Sequence, residues 1–229
     1  MTEDKKEIVD KFEFVAAILL GAAAICTALS SFQGGLWDGK QAEAYGQANT
    51  EATISASERA RAIVEMSKDA QIDITAYKLI KENNPTSDEI ATYLYTRQLS
   101  DAGYKAMGLP PEAKKEDDDG DDEKLVALAD EILEKAKTQD LVGDETYQKE
   151  MMAKAVEINE RSEKTFKSGN EANEISDKFD FANVIFAVAL FFMGIALVFR
   201  SGIKWYVLCA GGLLTLGGLI FMLTLPWTF

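Results

Sequence analysis

The chain has no histidine, only two cysteines and only four prolines in 229 residues. Without histidine, the commonest zinc ligand and the commonest general base near neutral pH are both missing. Two cysteines exclude a disulfide-rich fold and a four-thiolate metal centre. A phosphate-binding glycine loop, a nucleophile elbow and a thiol pair at ligand spacing are absent too. Basic charge is in short supply: 24 Lys and Arg stand against 38 Asp and Glu, a net charge of −14. A nucleic-acid binder needs a basic face for phosphates, so nucleic acid is not an expected partner. These absences predict a protein with no catalytic residues, no cofactor and no enzymatic activity.

What is present is segregated along the chain. Three uncharged apolar runs lie at the ends: Phe14 to Trp37 (24 residues), Phe181 to Phe199 (19 residues) and Trp205 to Phe229 (25 residues). A bilayer core takes about 20 apolar residues as a helix, so each run qualifies as a transmembrane helix. Trp37, Trp205 and Trp227 fall at run ends, where interfacial anchors sit. The first run exceeds the apolar stretch of a secretory signal and follows a net-negative segment, so it reads as a membrane helix and not as a cleaved leader. The expected organisation is a tail at 1–13, membrane helices at 14–37, 181–199 and 205–229, a basic loop at 200–204, and an extramembrane region at 38–180. Short segments rich in Lys and Arg stay on the cytoplasmic side. Lys5, Lys6 and Lys11 in the tail and Arg200 and Lys204 in the loop therefore place the N-terminus inside and 38–180 outside. By depth, Cys26 and Cys209 lie about 12 Å apart, too far to pair, and both are expected to be buried small apolar residues.

All the net charge belongs to residues 38–180, which hold 19 basic and 33 acidic residues. From Asp38 to Lys81 there is no proline, which predicts one long helix. Its least polar line is Tyr45, Ala48, Ala52, Ala56, Ala60, Ile63, Met66, Ala70, Ile74 and Tyr77, a small-residue packing stripe. A break is expected at 83–85. Thr86 with Glu89 forms a capping box for a second helix to about Met107, stopped by Gly108, Pro110 and Pro111. The stretch 108–123 is a linker that ends in the acidic run Glu116–Glu123. A calcium-loop alignment puts Asp117 and Asp119 on ligand positions, but Lys115 and Val126 then occupy the first and last ones, so a solvated linker is the better reading. Leu125, Leu128, Ala129, Ile132 and Ala136 mark a short amphipathic helix. Gly143-Asp144 punctuates, a charged helix runs to Ser168-Gly169-Asn170, and the helical pattern resumes from Glu171 into the second membrane run. The fold expected is all-α: an integral membrane protein with three transmembrane helices and an extended, coiled-coil-like helical domain.

The membrane runs carry small residues in register: Ala17, Gly21, Ala24, Ala28 and Ser31 in the first, Gly211 and Gly218 in the third. Such stripes let helix backbones approach closely. Packing within one chain and self-association into a homo-oligomer both remain open for them. The runs hold no ionisable side chain apart from the two thiols and Tyr206, unlike those of ion-coupled transporters.

Gly39-Lys40-Gln41-Ala42-Glu43-Ala44-Tyr45, preceded by Trp37 and followed by Glu51-Ala52, resembles a segment of an uncharacterised prokaryotic family of three-transmembrane-helix proteins. Ala172-Asn173, Ser176-Asp177 and Phe186 to Ile195, with Leu190-Phe191-Phe192-Met193-Gly194, resemble that family as well. The resemblance implies a long helical insertion between helices one and two in a prokaryotic inner-membrane protein, and it implies no catalytic residues. The function expected is a membrane scaffold or interaction protein, homo-oligomeric in the lipid bilayer, that displays an acidic helical domain to an unidentified protein partner. The alternative is an oligomeric ion channel lined by Thr27, Ser30, Ser31, Thr215 and Thr224, with an acidic mouth that attracts cations.

Overall fold

The computed structural model describes residues 3–114, 122–199 and 202–228. Asp117 and Asp119 lie outside the described residues. Among those described there is no strand, and the chain is all-α. Its helices are α1 (Glu3–Glu82), α2 (Pro85–Tyr93), α3 (Asp101–Ala106), α4 (Asp122–Thr138), α5 (Glu145–Val198) and α6 (Ile203–Thr224), with a π-helical turn at Leu94–Gln98 and a short 3-10 turn at Pro111–Ala113. α1, α5 and α6 each contain a segment long and apolar enough to cross a membrane. Two compact units result: Met1–Ala48 with Glu163–Phe229, and Asn49–Ser162.

Several helix ends differ from the sequence expectation, each for a local reason. α1 runs through the first apolar run and on to Glu82 as one helix of 80 residues. It ends where Asn83 turns left-handed (φ 54). α2 is capped by Asn84, whose side chain accepts from the Ser87 amide at 3.0 Å, and not by Thr86. Pro85 explains the shift: it holds the residue before it extended (φ −134, ψ 149) and suits the first helical position. The second helix does not reach Met107 unbroken. It passes through the π-helical turn, becomes extended at Leu99, and restarts as α3 with Ser100 as N-cap. Gly108 then ends α3 in the left-handed region (φ 62), as glycine can without Cβ strain. α5 passes through Ser168-Gly169-Asn170 without a break. α6 stops at Thr224, because Leu225 is extended ahead of Pro226.

In the unit Asn49–Ser162 the core gathers around Ile72, Ala76, Tyr95, Met107, Ile132 and Tyr147. The α1 residues it buries include Ser55, Ala62, Asp69 and Ala76, seven apart, while Ala52, Ala56, Ala60, Ile63, Ile74 and Tyr77 of the expected stripe are exposed. A seven-residue repeat averages 3.5 residues per turn, and an ideal helix turns every 3.6. At about 100° per residue, Ala52 and Ala56 lie roughly 60° and 100° around α1 from Ser55, so the two lines run on different faces from the first turn, and tertiary packing selects the seven-residue one. α5 shows the same alternation of three and four at Ala155, Ile158 and Ser162, and in the other unit at Gly169, Ala172, Ser176 and Phe179.

Candidate functional site: helix faces, a clasp and a buried carboxylate

In the unit holding the three apolar segments, α1 buries Phe12, Ala16, Ala23, Cys26, Ser30 and Gln33. Small side chains on this face bring the backbones close enough for hydroxyls to cross between helices. The Ser30 hydroxyl donates to the Phe179 carbonyl (2.8 Å), and the Ser176 hydroxyl on α5 donates to the Gly34 carbonyl (3.0 Å). Further along, Gly169 faces the Tyr45 ring so closely that a Cβ there would lie 2.6 Å from it. Tyr45 stacks on Phe166 (centroids 5.0 Å) and its hydroxyl donates to Asn170 Oδ1 at 2.6 Å. Gly169, read from sequence as a helix end, is instead a contact point.

The two small-residue stripes have different fates. Gly211 and Gly218 on α6 are buried against α5: a Cβ on Gly211 would lie 2.5 Å from Met193 Cγ and 3.0 Å from the Ala189 carbonyl, and one on Gly218 2.8 Å from Phe186. This stripe packs within the chain. Ala17, Gly21, Ala24, Ala28 and Ser31 on α1 are all exposed, and among the described residues nothing lies within 4 Å of a Cβ built on Gly21. Cys26 is buried as expected, but Cys209 is exposed on α6, because the α6 face turned toward α5 is the one carrying Gly211 and Gly218. Both thiols are free.

Aromatic and basic groups cluster at two places. Trp205 meets Phe12 edge-on (5.0 Å), with Lys204 Nζ 4.2 Å over the Phe12 ring. Trp227 meets Phe179 edge-on (6.2 Å), and Lys40 Nζ lies 4.4 Å over the Trp37 ring. At this second place residues 225–228, past the end of α6, lie against α1. Gln33 Nε2 donates to the Thr228 carbonyl (2.9 Å), and Gln33 Oε1 accepts from the Thr228 amide (3.0 Å). Trp37 Nε1 donates to the Pro226 carbonyl (2.9 Å), and Lys40 Nζ to Thr228 Oγ1. Sequence reading missed Gln33, although one amide side chain near the end of a long apolar run was the available signal.

Of the residues proposed to line a pore, Thr27, Thr215 and Thr224 donate to carbonyls of their own helix, Ala23 (2.9 Å), Gly211 (3.0 Å) and Phe221 (2.6 Å). Ser30 is buried, Thr215 is buried on the α5 side, and Ser31 is exposed with the α1 stripe. The structure does not bring these five to one surface of the chain.

In the unit Asn49–Ser162 the notable group is Asp69, fully buried on α1. Its Oδ1 accepts from the Ser100 amide (2.9 Å), and its Oδ2 from the Tyr147 hydroxyl (2.7 Å) and the Ser100 hydroxyl. Ser100 Oγ in turn accepts from the Gly103 amide (3.0 Å), which closes the first turn of α3. A carboxylate at a helix start offsets the unpaired amide dipoles there. Gly103 is required by this approach, since a Cβ would lie 2.6 Å from Asp69 Oδ2. One turn along, Asp73 accepts from the Tyr95 hydroxyl at 2.8 Å. Burial raises the Asp73 carboxyl above its ordinary value, offset in part by the Tyr95 hydrogen bond, and Asp140 adds to the rise. Burial and the neighbouring carboxylates push the Tyr95 and Tyr147 hydroxyls well above the usual tyrosine range. These groups hold helices together, and the bonds that Asp69 makes are spent on protein. Among the described residues no three Cys, Asp or Glu side chains converge as metal ligands.

Fold and geometry define an all-α protein with three helices able to cross a membrane. The chain belongs to the DUF4337 family, a domain of unknown function, whose model matches residues 14–225. No curated protein and no solved structure matches it.

Proposed function

We propose that the protein is an integral scaffold of the prokaryotic inner membrane, homo-oligomeric through α1, that displays an acidic helical domain to a protein partner. The observation that carries this reading is the exposure of Ala17, Gly21, Ala24, Ala28 and Ser31, while Gly211 and Gly218 of α6 are packed against α5. A glycine inside a helix costs roughly 0.5–1 kcal/mol relative to alanine. Gly21 brings no compensating contact among the described residues, so a closely packed neighbour from another chain is the natural reason for a small residue there. The seven-residue spacing on α1 and the alternation of three and four on α5 support a two-stranded antiparallel coiled coil as the stem of the displayed domain. Lys11 and Lys204 at one end of the membrane segments support an inside N-terminus.

The test is the mass of the protein in native-like lipid with Gly21 and Ala24 both changed to Ile. The variant should fall to a smaller assembly than the parent. Equal masses would remove the self-association reading. Planar-bilayer recordings on the same preparation address the channel alternative, and ion-selective currents would overturn the scaffold.

A further inference from the structure

We propose that Gln33, Trp37 and Lys40 form a clasp on α1 that reads main chain, and that its grip on residues 225–228, more than apolar packing along α6, keeps the Trp227 end of α6 on α1. The need arises from two groups that are costly apart. Gln33 is 1 % exposed within an uncharged run, and an amide buried without partners is strongly disfavoured. Beyond Thr224, Pro226 has stopped the helix, so the main chain of 226–228 has no helical partners beside an apolar segment. Each solves the other's problem. Gln33 gives Thr228 one donor and one acceptor (2.9 and 3.0 Å), the two-bond pattern that one strand residue offers its neighbour. The Trp37 indole takes the Pro226 carbonyl. Three of the four polar contacts therefore go to main chain, and only Lys40 touches a side chain, Thr228 Oγ1.

Elsewhere α6 makes its tight approaches to α5, at Gly211 against Met193 and at Gly218 against Phe186. Toward α1 it has an ordinary contact at Gly212 with Leu19 (3.6 Å to a built Cβ), and the Trp205–Phe12 pair at its opposite end. At the Trp227 end, Met222 and Leu225 share an apolar cluster with Cys26, and the Trp227 ring packs against it. The clasp and that cluster are thus the competing explanations for what holds the end down.

The experiment uses the full chain in nanodiscs and reads hydrogen exchange at the Thr228 amide. Gln33→Met keeps the side-chain length and helix propensity but removes both bonds. It should speed exchange at Thr228 by about 10- to 100-fold, the effect of releasing a partly buried amide pair, and leave the α5–α6 peptides as protected as in the parent. Trp227→Ala removes the ring packing and keeps the clasp, so Thr228 should stay protected to within about threefold of the parent. The opposite ranking, with Trp227→Ala releasing Thr228 and Gln33→Met leaving it protected, overturns the proposal. Thr228→Pro deletes the donated N–H without touching α1 and covers the case in which Gln33→Met does not fold. Acrylamide should then quench the emission of Trp37 and Trp227 more strongly than in the parent, and unchanged quenching overturns the clasp.

Discussion

Replacing Asp69 by alanine should open the α3 region of the unit Asn49–Ser162 far more than any single hydroxyl deletion around it. The substitution removes the acceptors of three donors at once: the Ser100 amide, the Ser100 hydroxyl and the Tyr147 hydroxyl. A buried polar group left without its partner costs about 1–3 kcal/mol. Ser100 is half-buried and finds some water, whereas Tyr147 is buried, which sets a total of about 3–5 kcal/mol over the three donors. At about 1.4 kcal/mol per factor of ten, local opening should rise by roughly two to four orders of magnitude. The assay is hydrogen exchange on the full chain in detergent, following peptides across 94–108 and the first turns of α5. Tyr147→Phe removes one of the three donors and should cost about 1–2 kcal/mol, on the order of tenfold in opening. The reasoning fails if Asp69→Ala changes exchange in 94–108 by less than Tyr147→Phe does. It fails equally if protection is lost throughout α5 and α6 rather than around α3.

Asp73 supplies a pH dependence of known sign. Its carboxyl titrates above its ordinary 3.8 in the folded chain, so the fold binds the proton more tightly than the unfolded chain does. Stability from this group is full at acid pH and declines as pH rises from about 4 through the raised value. Asp73→Asn keeps an acceptor for Tyr95 and should gain on the parent as pH rises toward neutrality in denaturant titrations of the full chain; a constant difference from pH 4 to 7 refutes this. Gly169→Val should destabilise the α1–α5 pairing by about 1–3 kcal/mol through collision with the Tyr45 ring, and Tyr45→Ala should restore much of the loss. A double-variant cycle in thermal melts with no coupling would contradict it. Gly211→Val should lower the melting temperature of the detergent-solubilised protein, because its Cβ collides with Met193, while Gly217→Ala, with open space around it, should hold or raise it. Equal shifts would show that α6 does not pack on α5 through Gly211.

The sequence by itself determined the helical class and the three apolar segments, because bilayer thickness and the 1.5 Å rise leave a run of about 20 uncharged apolar residues few other readings. It also placed the whole net charge between 38 and 180, and it found the breaks at Asn83–Pro85, Gly108 and Gly143, where proline and glycine act locally. Only the tertiary structure decided which face of each helix packs. Small side chains recur at helical spacing on more than one face of α1, so Ala52, Ala56 and Ala60 looked as suited to burial as Ser55, Ala62 and Asp69. Partners 78, 149 or 195 residues apart, such as Tyr147 for Asp69, Phe179 for Ser30 and Thr228 for Gln33, leave no periodic trace in composition. A glycine carries no mark of its neighbours either. Gly211 and Gly21 read alike in sequence, and only the packing of α5 against α6 makes one a contact and leaves the other open.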